Sequence, residues 1–116
     1  MIELQLPHQA PIRFAKYIVS KDDTTAVVKV KFETIPTLPM IVESAAQSSA
    51  AFSDGKNKNG FLVTLKNIKL LEKLNHLEYD IKVSLEYEFE GFSYFNFEIN
   101  SERGLLSSGK FMISIG

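Results

Sequence analysis

The alternation of apolar and polar side chains over residues 79–89 constrains the fold more than any other feature. Tyr, Ile, Val, Leu, Tyr and Phe occupy the odd positions, and Asp, Lys, Ser, Glu and Glu lie between them. A period of two residues is typical of a β-strand with one dry face. Because one strand cannot bury such a face alone, the chain must supply further strands and a layer that covers them.

Five further segments have the composition of strands. Residues 24–32 are rich in β-branched side chains, and Val28, Val30 and Phe32 share one face. The remaining predicted strands span residues 12–19, 61–70, 92–99 and 105–115. The first eleven residues contain two prolines and are predicted to form a lead-in loop.

The strand predicted over residues 61–70 changes face partway along. Its apolar residues are at odd positions as far as Leu65, whereas Ile68 and Leu70 are at even positions. An extra residue in one strand of a pair produces such a change of face. The sequence therefore predicts a β-bulge near Lys66 and Asn67.

One segment has the composition of a helix, from about residue 38 to residue 52. It is rich in Ala and Ser, with Thr37 placed as the N-cap and Pro39 in the first turn, where a missing N–H costs little. A helix that is small and apolar nearly all round is buried. It is the only predicted helix, so we expect the sheet to curve around it.

Length and composition exclude several classes of protein. A chain of 116 residues is predicted to form a single domain over residues 1–116. The absence of cysteine excludes disulfides and thiolate catalysis. We expect no signal peptide and no membrane span, so a cytoplasmic location is predicted. No basic pattern typical of nucleic-acid binding is present, and the net charge is −1.

Lysine is concentrated in one part of the chain, between residues 56 and 73. The stretch is compatible with an acidic partner, but a solvated surface is the preferred interpretation. Its members are Lys56, Lys58, Lys66, Lys69 and Lys73.

Four short motifs occur one after another along the chain. They are Leu-Pro-His at residues 6–8, Glu-Ser-Ala-Ala-Gln at 43–47, Gly-Phe-Leu at 60–62 and Ser-Gly-Lys-Phe at 108–111. In this the chain resembles the hotdog-fold 3-hydroxyacyl-ACP dehydratases, and most closely the short dehydratases of aryl-polyene gene clusters. The resemblance implies an α+β hotdog fold, in which a curved antiparallel sheet wraps around one central helix.

The chain departs from that family in the loop before the helix. The fatty-acid dehydratases carry a catalytic His there, in a His-Phe-Pro-Gly-x-Pro sequence. Residues 33–39 of this chain read Glu-Thr-Ile-Pro-Thr-Leu-Pro and contain no His. The family's pair of one His and one acidic residue is therefore incomplete on its His side.

The chemistry that the resemblance implies needs three groups. Removing water from a 3-hydroxyacyl thioester requires a base for the α-proton, an acid for the β-hydroxyl and an N–H donor for the thioester oxygen. Glu43 matches the acidic residue of the family and is expected to be partly buried. The alternative is an exposed carboxylate at the helix start, where the helix dipole favours it.

Three other polar residues bear on the site. Gln47 lies one helical turn after Glu43 and is positioned to hydrogen-bond it; equally, it fits an amide at the edge of the core that bonds to backbone. His8 is either structural or the source of the missing imidazole. His76 is predicted to lie at the surface, in a connection between strands.

The resemblance leaves three functions open. In the first, the chain is a 3-hydroxyacyl-ACP dehydratase of fatty acid or polyene biosynthesis, with Glu43 and His8 catalytic. In the second, it binds acyl-ACP, acyl-CoA or a partner protein without turnover, and in the third it is an acyl thioesterase. Gln47, Pro39 and Met40 are expected to contact the substrate, and no metal or cofactor is expected. An exposed strand edge invites pairing with another chain, so a homodimer joined edge to edge is predicted.

Overall fold

The computed structural model describes residues 2–3, 14–52, 60–101 and 104–115. Within them, antiparallel strands form one sheet in the order β1-β2-β3-β5-β6-β7-β4. The strands are β1 (Ile2–Glu3), β2 (Ala15–Lys21), β3 (Thr25–Lys31), β4 (Gly60–Leu70), β5 (Glu78–Phe89), β6 (Phe92–Ser101) and β7 (Gly104–Ile115). The helix α1 (Leu38–Ser48) continues into a 3-10 turn (Ser49–Phe52). The predicted plan of two strands, one helix and four strands is confirmed, with β1 as an addition.

The strand β1 corrects the prediction that the first eleven residues form a loop. Ile2 lies opposite Ile18 and Glu3 lies opposite Tyr17, so these two residues add a short antiparallel edge to β2. Two residues are too few to show a periodic pattern, which is why the sequence did not reveal them. The rest of the predicted lead-in loop, residue 1 and residues 4–11, lies outside the described residues.

The helix begins where the sequence predicted and has Thr37 as its N-cap residue in an extended conformation, with φ −87° and ψ 166°. The Thr37 side chain makes no capping hydrogen bond; its carbonyl accepts the Ile41 N–H at 3.1 Å. Two buried serines return their hydroxyl hydrogen bonds to the helix itself. Ser44 Oγ donates to the Ile41 carbonyl at 2.6 Å, and Ser48 Oγ donates to the Ser44 carbonyl at 2.7 Å. These bonds let the serines lie in the core.

The core forms where α1 packs against one face of β2, β3 and β5. Ile41 and Ala45 of the helix are fully buried. The other residues of the same cluster include Phe32, just after β3, and the strand residues Val28, Val30, Ile81, Val83, Phe97 and Ile99. Burying a side chain of the size of Val, Ile or Phe contributes about 1.5–3 kcal/mol relative to leaving it exposed. The face that α1 covers is called the inner face below, and the opposite face is called the outer face.

The prediction of one dry face along the whole of β5 is right as far as Leu85 and wrong beyond it. The pairing of β5 with β6 shifts between Leu85 and Tyr87, as a β-bulge produces. After the shift Tyr87 lies opposite Tyr94 on the outer face, and Tyr87 and Phe89 are 54% and 62% exposed.

The bulge predicted in β4 is confirmed. The pairing of β4 with β7 shifts between Lys66 and Lys69, and Asn67 has a positive φ of 52°. Ile68 then lies over Gly109, where a Cβ would come within 2.8 Å of Phe97 Cε1, so only glycine fits without displacement. Ser107 Oγ secures the bulge by donating to the Lys69 carbonyl at 2.7 Å.

Candidate active site

Gln47 joins the helix to the start of β2. Its side chain is 4% exposed, and its Oε1 accepts the backbone N–H of Phe14 at 2.7 Å and that of Ala15 at 3.1 Å. Since both donors can bond only to an acceptor, the amide orientation is fixed with Oε1 toward the backbone. The Nε2 atom therefore points away from β2.

Glu43 lies where that Nε2 atom points. The Nε2 atom of Gln47 donates to Glu43 Oε1 at 3.4 Å, a long hydrogen bond across one helical turn. Glu43 is half-buried and is the sixth residue of the eleven-residue α1. Its partial burial is confirmed. The alternative of an exposed carboxylate at the helix start is wrong, because the first turn contains no acidic residue.

The two predicted roles of Gln47 are therefore both confirmed. It bonds to Glu43, and it satisfies backbone groups at the edge of the core. A buried amide fixed on one side by two N–H groups presents a donor in a constant position on the other. The arrangement holds a half-buried carboxylate in place, which is the first requirement of an acid–base group.

The loop before the helix places the other predicted contact residues. Pro36 is buried, and Pro39 is exposed in the first turn of α1. Met40 is half-buried and packs against the core. The structure leaves the predicted substrate contacts of Gln47, Pro39 and Met40 as predictions.

Of the two histidines, His76 lies within the described residues and His8 does not. His76 is exposed in the connection between β4 and β5, and its backbone N–H donates to the Tyr79 hydroxyl at 2.8 Å. Its predicted surface position is confirmed. His8 lies outside the described residues, so its structural and catalytic alternatives both remain predictions. Within the described ranges, no group of three or more His, Cys, Asp or Glu side chains is arranged to hold a metal ion.

A second polar cluster lies on the outer face and was missed by the sequence analysis. Glu86 accepts Asn96 Nδ2 at 2.8 Å and Lys110 Nζ at 3.2 Å, and these hydrogen bonds hold the pKa of the Glu86 carboxyl below its usual value. The three residues line a shallow cavity of about 450 Å³ with Lys69 and Glu98. Its charged residues follow the outer face of β4 to β7, whereas α1 and Glu43 lie on the inner face.

No long apolar helix of the kind that crosses a bilayer occurs in the part of the chain that the structure describes.

Solved structures resemble this chain, although no protein-family model matches the sequence and a search of curated proteins finds no match. The dehydratase heterocomplex ApeI:P from Xenorhabdus doucetiae is 17% identical, with 96% of this chain and 88% of that chain covered and a TM-score of 0.81. A hypothetical thioesterase with coenzyme A from Streptococcus pneumoniae is 14% identical, with coverage of 86% and 84% and a TM-score of 0.68. An HP0420 homologue from Helicobacter felis is 13% identical, with coverage of 95% and 82% and a TM-score of 0.72.

These likenesses extend over most of both chains in each case. At such low identities they establish the fold, and the chain has the hotdog fold that the motifs implied. Structures named as a dehydratase and as thioesterases share this fold. The choice between those activities rests on the site itself.

The hydrogen bonds of Gln47 to the backbone of Phe14 and Ala15 can be tested by removing the Gln47 amide. Gln47→Leu is expected to lower the free energy of unfolding by about 1–3 kcal/mol, because the Phe14 and Ala15 N–H groups lose their acceptor. Urea titration followed by circular dichroism measures the change. Asn96→Leu is the control, since it removes an amide from the outer face and is expected to cost under about 0.5 kcal/mol. Equal stabilities for the two variants would show that the Gln47 bonds contribute no more than the hydrogen bond of an amide on the outer face.

Proposed function

We propose that this protein is a 3-hydroxyacyl-thioester dehydratase, which removes water from an acyl chain carried by an acyl carrier protein or CoA. The observation that carries the proposal is the half-buried Glu43 carboxylate, which Gln47 holds in place on a buried helix. The fold shared with a protein named as a dehydratase supports it. The two motifs of the helix, Glu and Ala-Gln, support it also.

The reaction breaks a Cα–H bond and a Cβ–O bond and forms the Cα=Cβ double bond. One group takes the α-proton, and another gives a proton to the β-hydroxyl, which leaves as water. We assign one of these transfers to Glu43 and the other to His8. Such acid–base catalysis typically contributes about 10²–10⁴-fold in rate.

The remaining predicted contacts are assigned around these two groups. Gln47 orients the Glu43 carboxylate, because its amide is fixed by the backbone of β2. Pro39 and Met40, in the first turn of α1, contact the acyl thioester. Backbone N–H groups in that turn are the donors proposed for the thioester oxygen.

The proposed assembly is a homodimer joined along β4. This strand is eleven residues long and lies at one edge of the sheet, whereas β1 at the other edge has two residues. Leu65 and Leu70 of β4 are each 46% exposed. A long edge strand with exposed apolar side chains is a template for pairing with another chain. Edge pairing along β4 gives the backbone N–H and C=O groups at its outer side hydrogen-bond partners. It also creates an interface for an acyl tunnel.

Hydrolysis of the thioester is the second candidate. Two features favour it: residues 33–39 contain no His, and structures named as thioesterases share the fold, one of them with coenzyme A. A single carboxylate that activates water would suffice for that reaction. The third candidate, binding of an acyl carrier or partner protein without turnover, also requires no imidazole.

Intact-protein mass spectrometry separates the three candidates. The purified chain is incubated with 3-hydroxyacyl carrier proteins of several chain lengths, and the mass of the carrier is followed. The dehydratase proposal predicts loss of one water with the acyl chain still attached. Return of the carrier to its unacylated mass would select the thioesterase. An unchanged carrier that coelutes with the protein would select the binding module.

A further inference from the structure

Phe14 lies directly before β2 and is held on two sides. Its carbonyl accepts the backbone N–H of Lys31, the last residue of β3, at 2.9 Å. Its ring packs against the ring of Phe32, with centroids 4.9 Å apart and an interplanar angle of 42°. Paired rings stabilise a fold beyond the apolar area that they bury. The backbone of Phe14 is therefore fixed against the end of β3.

Phe32 is a rigid surface for the Phe14 ring to pack against. Its side chain is buried, and its backbone N–H donates to the Leu77 carbonyl at 2.8 Å. The ring of Tyr79 meets it edge-on, with centroids 6.3 Å apart. Tyr79 is itself buried, and its hydroxyl accepts the backbone N–H of His76. Because Phe32 is enclosed on these sides, its ring keeps one orientation.

The position of the Gln47 amide depends on the backbone of Phe14. The Phe14 N–H donates to Gln47 Oε1 at 2.7 Å, the shorter of the two bonds that this oxygen accepts from the start of β2. The Nε2 atom of the same amide donates to Glu43 Oε1 at 3.4 Å. A hydrogen bond of that length is close to the limit, so a small shift of the amide breaks it. The placement of the Glu43 carboxylate is therefore sensitive to movement of Phe14.

We propose that Phe14 is a positioning residue for Glu43 and acts through Gln47. The inference rests on the proposed function, in which Glu43 transfers a proton to or from the acyl chain. The Phe14 ring keeps the Phe14 N–H directed at Gln47 Oε1, and the oriented amide keeps the Glu43 carboxylate in one place. Misplacement of a reacting group by about 1 Å costs about 10²-fold in rate, so a ring remote from the chemistry affects turnover.

Hydrogen exchange of the residue 14 amide, followed by NMR, tests the positioning without requiring catalysis. In the wild type this N–H is bonded to a buried acceptor and is expected to exchange slowly. Phe14→Leu keeps the N–H and removes the ring. After correction for the intrinsic rate, exchange is expected to be about two- to tenfold faster, the factor that one ring pair contributes. Phe14→Tyr retains the ring and should exchange as slowly as the wild type.

Steady-state kinetics of the same variants test the effect on catalysis. Phe14→Leu is expected to lower kcat by about tenfold, because Glu43 is less well placed for proton transfer. Its KM should stay within about twofold of the wild type, since the residues assigned to the acyl thioester are unchanged. Phe14→Tyr is expected to restore the wild-type kcat. A purely structural role for the ring would not separate kcat from KM in this way.

Phe52→Leu is the matched control for both measurements. Phe52 is half-buried like Phe14, and its ring packs against that of Phe95 with centroids 5.6 Å apart, at the other end of the helix. The substitution removes a similar ring contact and leaves the Gln47 bonds intact, so kcat and the exchange at residue 14 should match the wild type.

Two results would overturn the positioning role of Phe14. One is unchanged exchange at residue 14 in Phe14→Leu. The other is an equal fall in kcat for Phe14→Leu and Phe52→Leu, which would assign the loss to general destabilisation. A wild type without turnover would overturn the proposed function instead, and the exchange rates would still decide whether Phe14 fixes the Gln47 amide.

Discussion

Glu43→Gln is expected to lower dehydratase turnover by about 10²-fold or more while leaving the melting temperature close to that of the wild type. The amide has nearly the shape of the carboxylate and still accepts a hydrogen bond from Gln47 Nε2, so the helix keeps its packing. It neither takes nor gives a proton at neutral pH, so the acid–base contribution is lost. Turnover of 3-hydroxyacyl-ACP at saturating substrate measures the effect. Glu72→Gln, an exposed carboxylate in the β4–β5 connection, is the control and should retain full activity.

The same measurement assigns the role of His8. If His8 and Glu43 act as one unit, His8→Ala causes a comparable loss and the double variant is little worse than either single variant. Losses that multiply would mean that the two residues act separately. Full activity in Glu43→Gln would mean that Glu43 is not catalytic and that its hydrogen bond with Gln47 is structural only.

Ala45→Leu is expected to cause a large loss of stability. Ala45 is fully buried in the cluster that joins α1 to the sheet, so the three carbons that leucine adds have no path to solvent. Overpacking of this kind typically costs about 1–3 kcal/mol. In a domain of this size the melting temperature should fall by about 5–20 °C. Differential scanning calorimetry measures the shift.

Ala46→Leu is the matched control for that experiment. The residue is adjacent in sequence and undergoes the same change, but its side chain is half-buried. Its effect should be clearly smaller, since a leucine there has a path toward solvent. Equal shifts for the two variants would contradict the burial that distinguishes them.

The strands show how far the sequence could specify the fold. The bulge in β4 was predictable because Ile68 and Leu70 changed the parity of the apolar pattern. The bulge in β5 was not, because Tyr87 and Phe89 continue the apolar alternation although they lie on the outer face. A pattern of apolar and polar residues cannot detect a change of face when both faces carry apolar side chains.

Only the part of the site that lies on α1, the pair Glu43 and Gln47, could be predicted from the sequence. The spacing of Glu43 and Gln47 places them on one side of the helix, and the structure joins them. The acceptor role of Gln47 toward Phe14 and Ala15 had no sequence signal, because the donors are backbone N–H groups 33 and 32 residues away. Every residue except proline carries such a donor, so its sequence position identifies nothing.

The most direct test of a hydro-lyase centred on Glu43 follows the reverse reaction in labelled water. A trans-2-enoyl carrier protein is incubated with the chain in oxygen-18 water, and the acyl products are analysed by mass spectrometry. A hydro-lyase of this kind places label in the hydroxyl group of a 3-hydroxyacyl chain that is still attached to its carrier, and Glu43→Gln is expected to incorporate the label about 10²-fold more slowly. Label found in a released carboxylic acid, or no label with the wild type, would contradict this account.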